Sequence, residues 1–279
     1  MRVLVTGGAG YIGSVVVQEL IHCGHKVIAY DNLSNGYRTA IGGDAEFVEG
    51  DIGDAEKLSR TLNGFSIEAV MHLAASIEAG ESMKTPEKYF RNNSANTLTL
   101  LEAMLRQRIK RLVFSSTAAL YGNPESTPIR EEDSFRPTNV YGESKLLVEQ
   151  MLAWFHKIHG LRYASLRYFN ASGAAGALGE AHKPESHLIP LILQVASGKR
   201  ASIAVFGTDY PTPDGSCIRD YIHVLDLASA HLLALDALSS RDKLIYNLGN
   251  GKGFSVREVI TMAREVTRHA IPEFPRPRS

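Results

Sequence analysis

A chain of 279 residues has room for one large domain or two unequal ones around an ample core. Lys plus Arg and Asp plus Glu both number 30, so no net field draws the protein to nucleic acid or to an anionic membrane. Cys23 and Cys217 form no disulfide framework, no apolar run approaches a bilayer span, and Met-Arg-Val-Leu-Val-Thr-Gly is too short for a signal peptide, so a cytoplasmic protein is expected.

In chain order, Val3 to Thr6 reads as a first strand, followed by the turn Gly8-Ala9-Gly10-Tyr11-Ile12-Gly13 and a helix over Tyr11 to Cys23. Gly7 extends the turn to a Gly-x-x-Gly-x-x-Gly spacing. Gly10 lets backbone approach a pyrophosphate, which the helix N-terminus favours through free N–H groups and its dipole, and Gly13 permits close helix–strand packing. A second strand, Lys26 to Tyr30, ends at Asp31, where an acid suits the adenosine ribose hydroxyls and repels a 2′-phosphate. NAD is therefore expected over NADP, with Arg38 the one nearby cation.

The alternation continues with a strand over Ala45 to Glu49, a helix over Asp54 to Asn63 and a strand over Ala69 to Leu73. Asp51-Ile52 follows one strand end and can reach an adenine; Leu73-Ala74-Ala75 follows another and offers small side chains beside a cofactor. A helix over Pro86 to Arg106, a strand over Leu112 to Ser115, a helix over Tyr141 to His159 and a strand over Tyr163 to Arg167 complete the pattern. Such alternation predicts an α/β fold: a Rossmann-type, doubly wound parallel sheet, with its ligand at the topological switch point.

Tyr141 and Lys145 stand four residues apart, on one helix face. A free phenol with a pKa of about 10 is a poor base at neutral pH, and a nearby ammonium favours its ionised form. Ser115-Ser-Thr117 ends the preceding strand and brings a hydroxyl within reach of a reacting oxygen. His156 and His159 share a helix face without a third ligand at metal spacing, so they are read as exposed and no metal is expected.

After Asn170 the period loosens. Gly173 to Pro184 and Gly207 to Gly215 read as long loops, Val224 to Leu238 as a helix, and Ser255-Val-Arg-Glu258 as a capping box opening another. Residues 271–279 are expected to form no regular element. Residues 1–170, with segments such as 224–250 returning to them, are expected to form a Rossmann domain, and residues 171–279 mainly an interleaved, C-terminally shortened substrate lobe.

Gly7-Gly-Ala-Gly-Tyr-Ile-Gly13, Asp31-Asn-Leu-Ser34, Ser115-Ser-Thr-Ala-Ala-Leu-Tyr-Gly122 and Tyr141-Gly-Glu-Ser-Lys145 together resemble the extended short-chain dehydrogenase/reductase family. Arg167-Tyr-Phe-Asn170, His187-Leu-Ile-Pro190 and the long segment from Phe206 to His223 resemble, within it, the UDP-galactose 4-epimerases. The resemblance implies inversion of C4 of a UDP-linked hexose through a 4-keto intermediate on tightly bound NAD, by a homodimer. It implies Thr117, Tyr141 and Lys145 as the catalytic set. Implied cofactor contacts are Gly7, Gly10, Tyr11, Ile12, Gly13, Asp31, Asn32, Ser34, Asn35, Gly36, Asp51, Ile52, Leu73, Ala74, Ala75, Lys84, Asn92, Ser115, Tyr141, Lys145 and Phe169. Thr117, Asn170, His187, Leu188, Ala204, Phe206 and Arg219 are the implied substrate contacts, with Arg219 as diphosphate clamp and Arg276 or Arg278 opening a further diphosphate-binding segment. A 4,6-dehydratase of the same family needs acidic residues after the hydroxyl, where this chain has Ala118-Ala119. Other readings are a UDP-N-acetylglucosamine or UDP-pentose 4-epimerase, or a non-catalytic NAD-binding protein.

Overall fold

Alternate residues of each early strand leave for opposite sides of one sheet, and two separate cores result. In the computed structural model, which describes residues 1–124 and 126–277, the chain opens with β1 (Arg2–Thr6), α1 (Tyr11–His22), β2 (Lys26–Asp31) and β3 (Glu46–Glu49). Next come α2 (Ala55–Gly64), β4 (Ala69–His72) and two short helices, α3 (Ala79–Ser82) and α4 (Pro86–Tyr89). A π-helical segment at Phe90–Ala95 leads into α5 (Asn96–Arg106), then β5 (Arg111–Thr117), α6 (Val140–His159), β6 (Arg162–Tyr168) and β7 (Asn170–Ser172). The last third holds α7 (Leu188–Ala196), β8 (Ile203–Phe206), β9 (Ile218–His223), α8 (Val224–Ala237), β10 (Lys243–Leu248), β11 (Gly253–Ser255), α9 (Val256–Thr267) and β12 (Glu273–Arg276).

Seven strands pair in parallel in the order β10-β6-β5-β4-β1-β2-β3. Val3, Val5, Val27, Ala29, Met71 and Val113 pack on one face against α1 and α8. Leu4, Ile28, Val70, Leu112 and Phe114 pack on the other against α2, α5 and α6. This is the Rossmann-type, doubly wound sheet, and the period of two along each strand produces its two cores. A third, smaller core joins α7, β8 and α9 through Ile192, Val195, Ile203, Val205 and Ile260. No helix among the described residues is long and apolar enough to cross a membrane.

Three expectations need correction. The helix expected over residues 86–106 is broken, because its middle turns widen at Phe90–Ala95. There Asn93 turns inward, donating to Ser76 O (2.9 Å) and Ser144 Oγ (3.0 Å) and accepting from Ser76 N (2.8 Å). Residues 271–279 are not wholly irregular: Glu273–Arg276 pairs in parallel with Ile203–Phe206 in a two-stranded sheet. Pro275 is tolerated because an edge strand can spare an N–H, while Arg276 O still accepts from Gly207 N (2.8 Å). His156 is half-buried rather than exposed, with Nδ1 against Leu161 O at 2.9 Å.

The capping box at the start of α9 is present in full: Ser255 Oγ accepts from Glu258 N (3.0 Å) and Glu258 Oε2 accepts from Ser255 N (2.6 Å). Ser255→Ala removes the acceptor of one otherwise orphaned helix amide and is expected to cost about 0.5–2 kcal/mol, read as a lowered midpoint in urea unfolding.

Candidate active site

The strand order reverses between β1 and β4, and the C-terminal ends of these two strands are the lips of a crevice. Gly7 follows β1 with φ +72°, and a Cβ there would stand 2.6 Å from Ala74 N, just beyond β4. The two lips touch through backbone, which only glycine permits. Gly13 is equally committed, since its Cβ would fall 2.0 Å from Gly7 O. Gly10 differs: it caps α1, and a Cβ there would meet only Gly7 O, at 3.3 Å. Above Gly10 the surface is open, and α1 has neither an acidic residue in its first turn nor a side-chain cap to satisfy its leading amides. Backbone shape and charge here suit a diphosphate.

Asp31 sits at the end of β2, buried, with Oδ2 accepting from Ala9 N (3.0 Å) and Oδ1 from Leu33 N (2.8 Å). Burial raises its pKa, and those two amides partly offset the rise. A carboxylate has about four acceptor sites, so two remain for hydroxyl donors. Asn32 donates to Asp51 Oδ2 (2.8 Å) and accepts from Ser34 N (3.0 Å); Asn32, Ser34 and Asn35 are exposed along the rim. Gly36 closes the loop back onto the glycine turn, where a Cβ would lie 2.9 Å from Ala9 C. Ile52 is buried and Asp51 half-buried beside them. Arg38 is engaged elsewhere, stacked 4.7 Å from the Phe47 ring centroid.

The chemical groups stand at the end of β5. The Thr117 side chain lies close enough to the Tyr141 phenol to lower its pKa, and Thr117 Oγ1 accepts from Ala119 N at 3.1 Å. Lys145 is buried, donates to Ser115 O (2.9 Å) and lies 4.9 Å from the Phe114 ring centroid. Burial pushes the Lys145 pKa down to about 7. Burial also raises the Tyr141 phenol above its ordinary value, against the lowering effect of Thr117. The sequence leads one to expect an ammonium pulling the phenol down. In the free protein desolvation outweighs any such pull, and the hydroxyl of Thr117 supplies the compensation. The Tyr168 phenol, whose pKa the nearby Ser115 lowers against the effect of burial, meets His231 Nε2; His231 Nδ1 lies 2.7 Å from Leu227 O. Asn92 lies nearby, donating to Ser76 Oγ at 3.2 Å, and Phe169 N donates to Leu248 O at 3.1 Å.

Of the substrate set, Asn170 and Arg219 share the small sheet β11-β9-β7, where Asn170 Nδ2 donates to Asp220 O (2.7 Å). Arg219 is exposed and donates to Ile218 O (3.1 Å). Asp220 is instead consumed by the amides of Asn250 and Gly251, both at 2.9 Å, so it does not neutralise its neighbour. Ala204 and Phe206 lie on β8, opposite Phe274 and Arg276. Arg276 stacks 5.3 Å from the Phe274 ring centroid, and Arg278 lies outside the described residues. His187 caps α7 beside the half-buried Leu188, and its Nδ1 is held by Glu180 Oε1 (2.6 Å) and Glu185 Oε1 (3.0 Å). Those carboxylates raise its pKa to about 9.

Lys84 is exposed on the turn between α3 and α4, and its backbone amide donates to Glu81 O. Conversely, no sequence motif marked Asn93 and Ser76, which lock the loop after β4 to α6. Also unmarked was a strap across the crevice: Tyr11 OH donates to Gly173 O (2.7 Å), Tyr37 OH to Ala181 O (3.0 Å) and Ser186 Oγ to Glu78 Oε2 (2.6 Å). The visible signal was the length of the 173–187 loop, which is unusual inside a compact fold.

Residues 3–249 match the NAD dependent epimerase/dehydratase family. A UDP-glucose 4-epimerase of Streptomyces lividans is 52% identical over 278 residues, spanning 99% of this chain and 84% of the relative. The crystal structure of UDP-glucose 4-epimerase from Brucella ovis in complex with NAD has a TM-score of 0.97 at 47% identity, spanning 100% of this chain and 86% of that one. That of the Bifidobacterium longum UDP-glucose 4-epimerase, in complex with NAD+ and UDP, has a TM-score of 0.95 at 39% identity, spanning 100% and 87%.

Proposed function

This chain belongs to the NAD dependent epimerase/dehydratase family, and we propose that it is a UDP-glucose/UDP-galactose 4-epimerase that works through a 4-keto sugar with NAD retained. The observation that carries the reading is the placing of buried Thr117 at the end of β5 with Tyr141 and buried Lys145 on α6, at the strand end next to the β1/β4 switch point. Bound in the crevice, NAD supplies the two-electron acceptor and donor that inversion at a secondary carbinol needs. The open face above Gly10 takes the diphosphate, and the free acceptor sites of Asp31 take the adenosine ribose hydroxyls while its charge disfavours a 2′-phosphate.

Tyr141 accepts the proton of the sugar 4-hydroxyl and returns it after the keto sugar has turned over. Thr117 acts on the same oxygen, and Lys145 stands four residues along the same helix face, where its protonated form would favour the phenolate. Residues 1–170 with 224–250 make the cofactor half of this arrangement. The rest of 171–279 makes the sugar-nucleotide half, where Arg219 faces the substrate diphosphate with a planar fork and Asn170, His187, Leu188, Ala204 and Phe206 surround the nucleotide. The free thiols Cys23 and Cys217 fit a cytoplasmic enzyme. Purified chain given UDP-galactose and no added NAD should form UDP-glucose. Formation of a 4-keto-6-deoxy product, or no turnover even with NAD supplied, would overturn the proposal; UDP-N-acetylglucosamine and a UDP-pentose in parallel define the sugar preference.

The enzyme is further proposed to pair through α5 and α6. Exposed Leu98 lies on the first, and Trp154 and Ile158, one helical turn apart, on the second; they are 37%, 61% and 64% exposed. Sedimentation equilibrium at micromolar concentration should return twice the mass of the chain, and Ile158→Glu should return a single mass.

A further inference from the structure

The strap that crosses the crevice carries four metal-type ligands in the spacing Glu180-x-His182-x-x-Glu185-x-His187. Folding brings all four together, with one donor atom from each lying within 4.8 Å of the others. Glu180 Oε1 is met by His187 Nδ1 at 2.6 Å and by His182 Nδ1 at 3.0 Å, and Glu185 Oε1 stands 3.0 Å from His187 Nδ1. The two imidazoles lie 5.4 Å apart, tilted by 47°, and both turn Nδ1 toward Glu180 Oε1. Zinc–ligand bonds of about 2.0–2.2 Å in a tetrahedron put neighbouring donors roughly 3.3 Å apart, inside the observed spread.

We propose that Glu180, His182, Glu185 and His187 form a four-ligand site for a divalent transition ion of the zinc class, which cross-links the strap just before α7. Two carboxylates balance a double positive charge, and the ion displaces the proton that His187 otherwise shares with Glu180 and Glu185. A mixed nitrogen and oxygen set suits zinc, cobalt or nickel, whereas magnesium and calcium take oxygen ligands in greater number. The ligands are held from behind. Glu185 Oε1 accepts from Ser186 N and His187 N, both at 2.8 Å, and Ala181 and Ser186 are tied to Tyr37 and Glu78. Such support is what orients ligands in metal sites. The site goes beyond the epimerase reading and shares only His187 with its nucleotide set; metal binding is read in the absence of any UDP-sugar, so its failure and the failure of that reading are distinguishable.

The test is a titration of the chelator-treated full chain with cobalt(II). One equivalent should produce the visible absorption of a tetrahedral ion, and zinc(II) should displace it and raise the melting temperature. His182→Gln and Glu185→Gln should each weaken binding by at least about tenfold, the scale on which even supporting residues act. His269→Gln, at an exposed position outside the cluster, should bind as the unaltered chain does. Zinc-edge X-ray absorption on the loaded, unaltered chain needs no variant and should show imidazole with oxygen ligands. The absence of a saturable cobalt spectrum, or a spectrum indifferent to both Gln variants while their circular dichroism stays native, would overturn the site.

Discussion

Tyr141→Phe is expected to lower kcat for UDP-galactose epimerisation by about 10²–10⁴-fold, the usual contribution of a positioned proton acceptor. The ring stays, so packing in the cleft stays; only the phenol oxygen, which Thr117 influences, is removed. The glycine turn and Asp31 are untouched, and the variant should purify with as much NAD as the unaltered chain, measured by absorbance after denaturing release. Loss of turnover with cofactor retained assigns the phenol to the chemistry. Equal turnover would discard it as the proton carrier.

Glu149→Ala should produce the largest loss of stability. Arg167 is 2% exposed and lies under the sheet's β5–β6 region, with Nε and Nη2 donating to Glu149 at 3.0 and 2.7 Å and Nη1 to Tyr121 OH and Glu131 O. Ser116 Oγ also donates to the same carboxylate at 2.6 Å. Removing Glu149 strands a guanidinium, which cannot shed its proton, in a site closed to water. The cost is about 3–5 kcal/mol, or roughly 10 °C in melting temperature for a chain of this size. Replacing both partners together, as Glu149→Met with Arg167→Met, should recover most of that loss, because no unpaired charge remains. A double variant as unstable as the single one would show that the loss comes from packing.

The two-sided sheet was readable because its strands are runs such as Val3-Leu-Val5, in which every residue is apolar and the intervening helices are long. The cofactor turn was equally plain, since Gly7 and Gly13 answer to backbone contacts that no other residue allows. Later strands were hidden for physical reasons. β7 and β11 have three residues each, too few to show a period, and β12 carries a proline that only its distant pairing with β8 makes acceptable. Asn93 was silent because its importance lies in contacts with Ser76 and Ser144, which are 17 and 51 residues away.

The three tethers of the 173–187 loop reach one residue group beyond each of β1, β2 and β4. The loop is thereby pinned at three places along the rim of the crevice, one for each strand end, and Tyr11→Phe would undo one pin while leaving the other two in place.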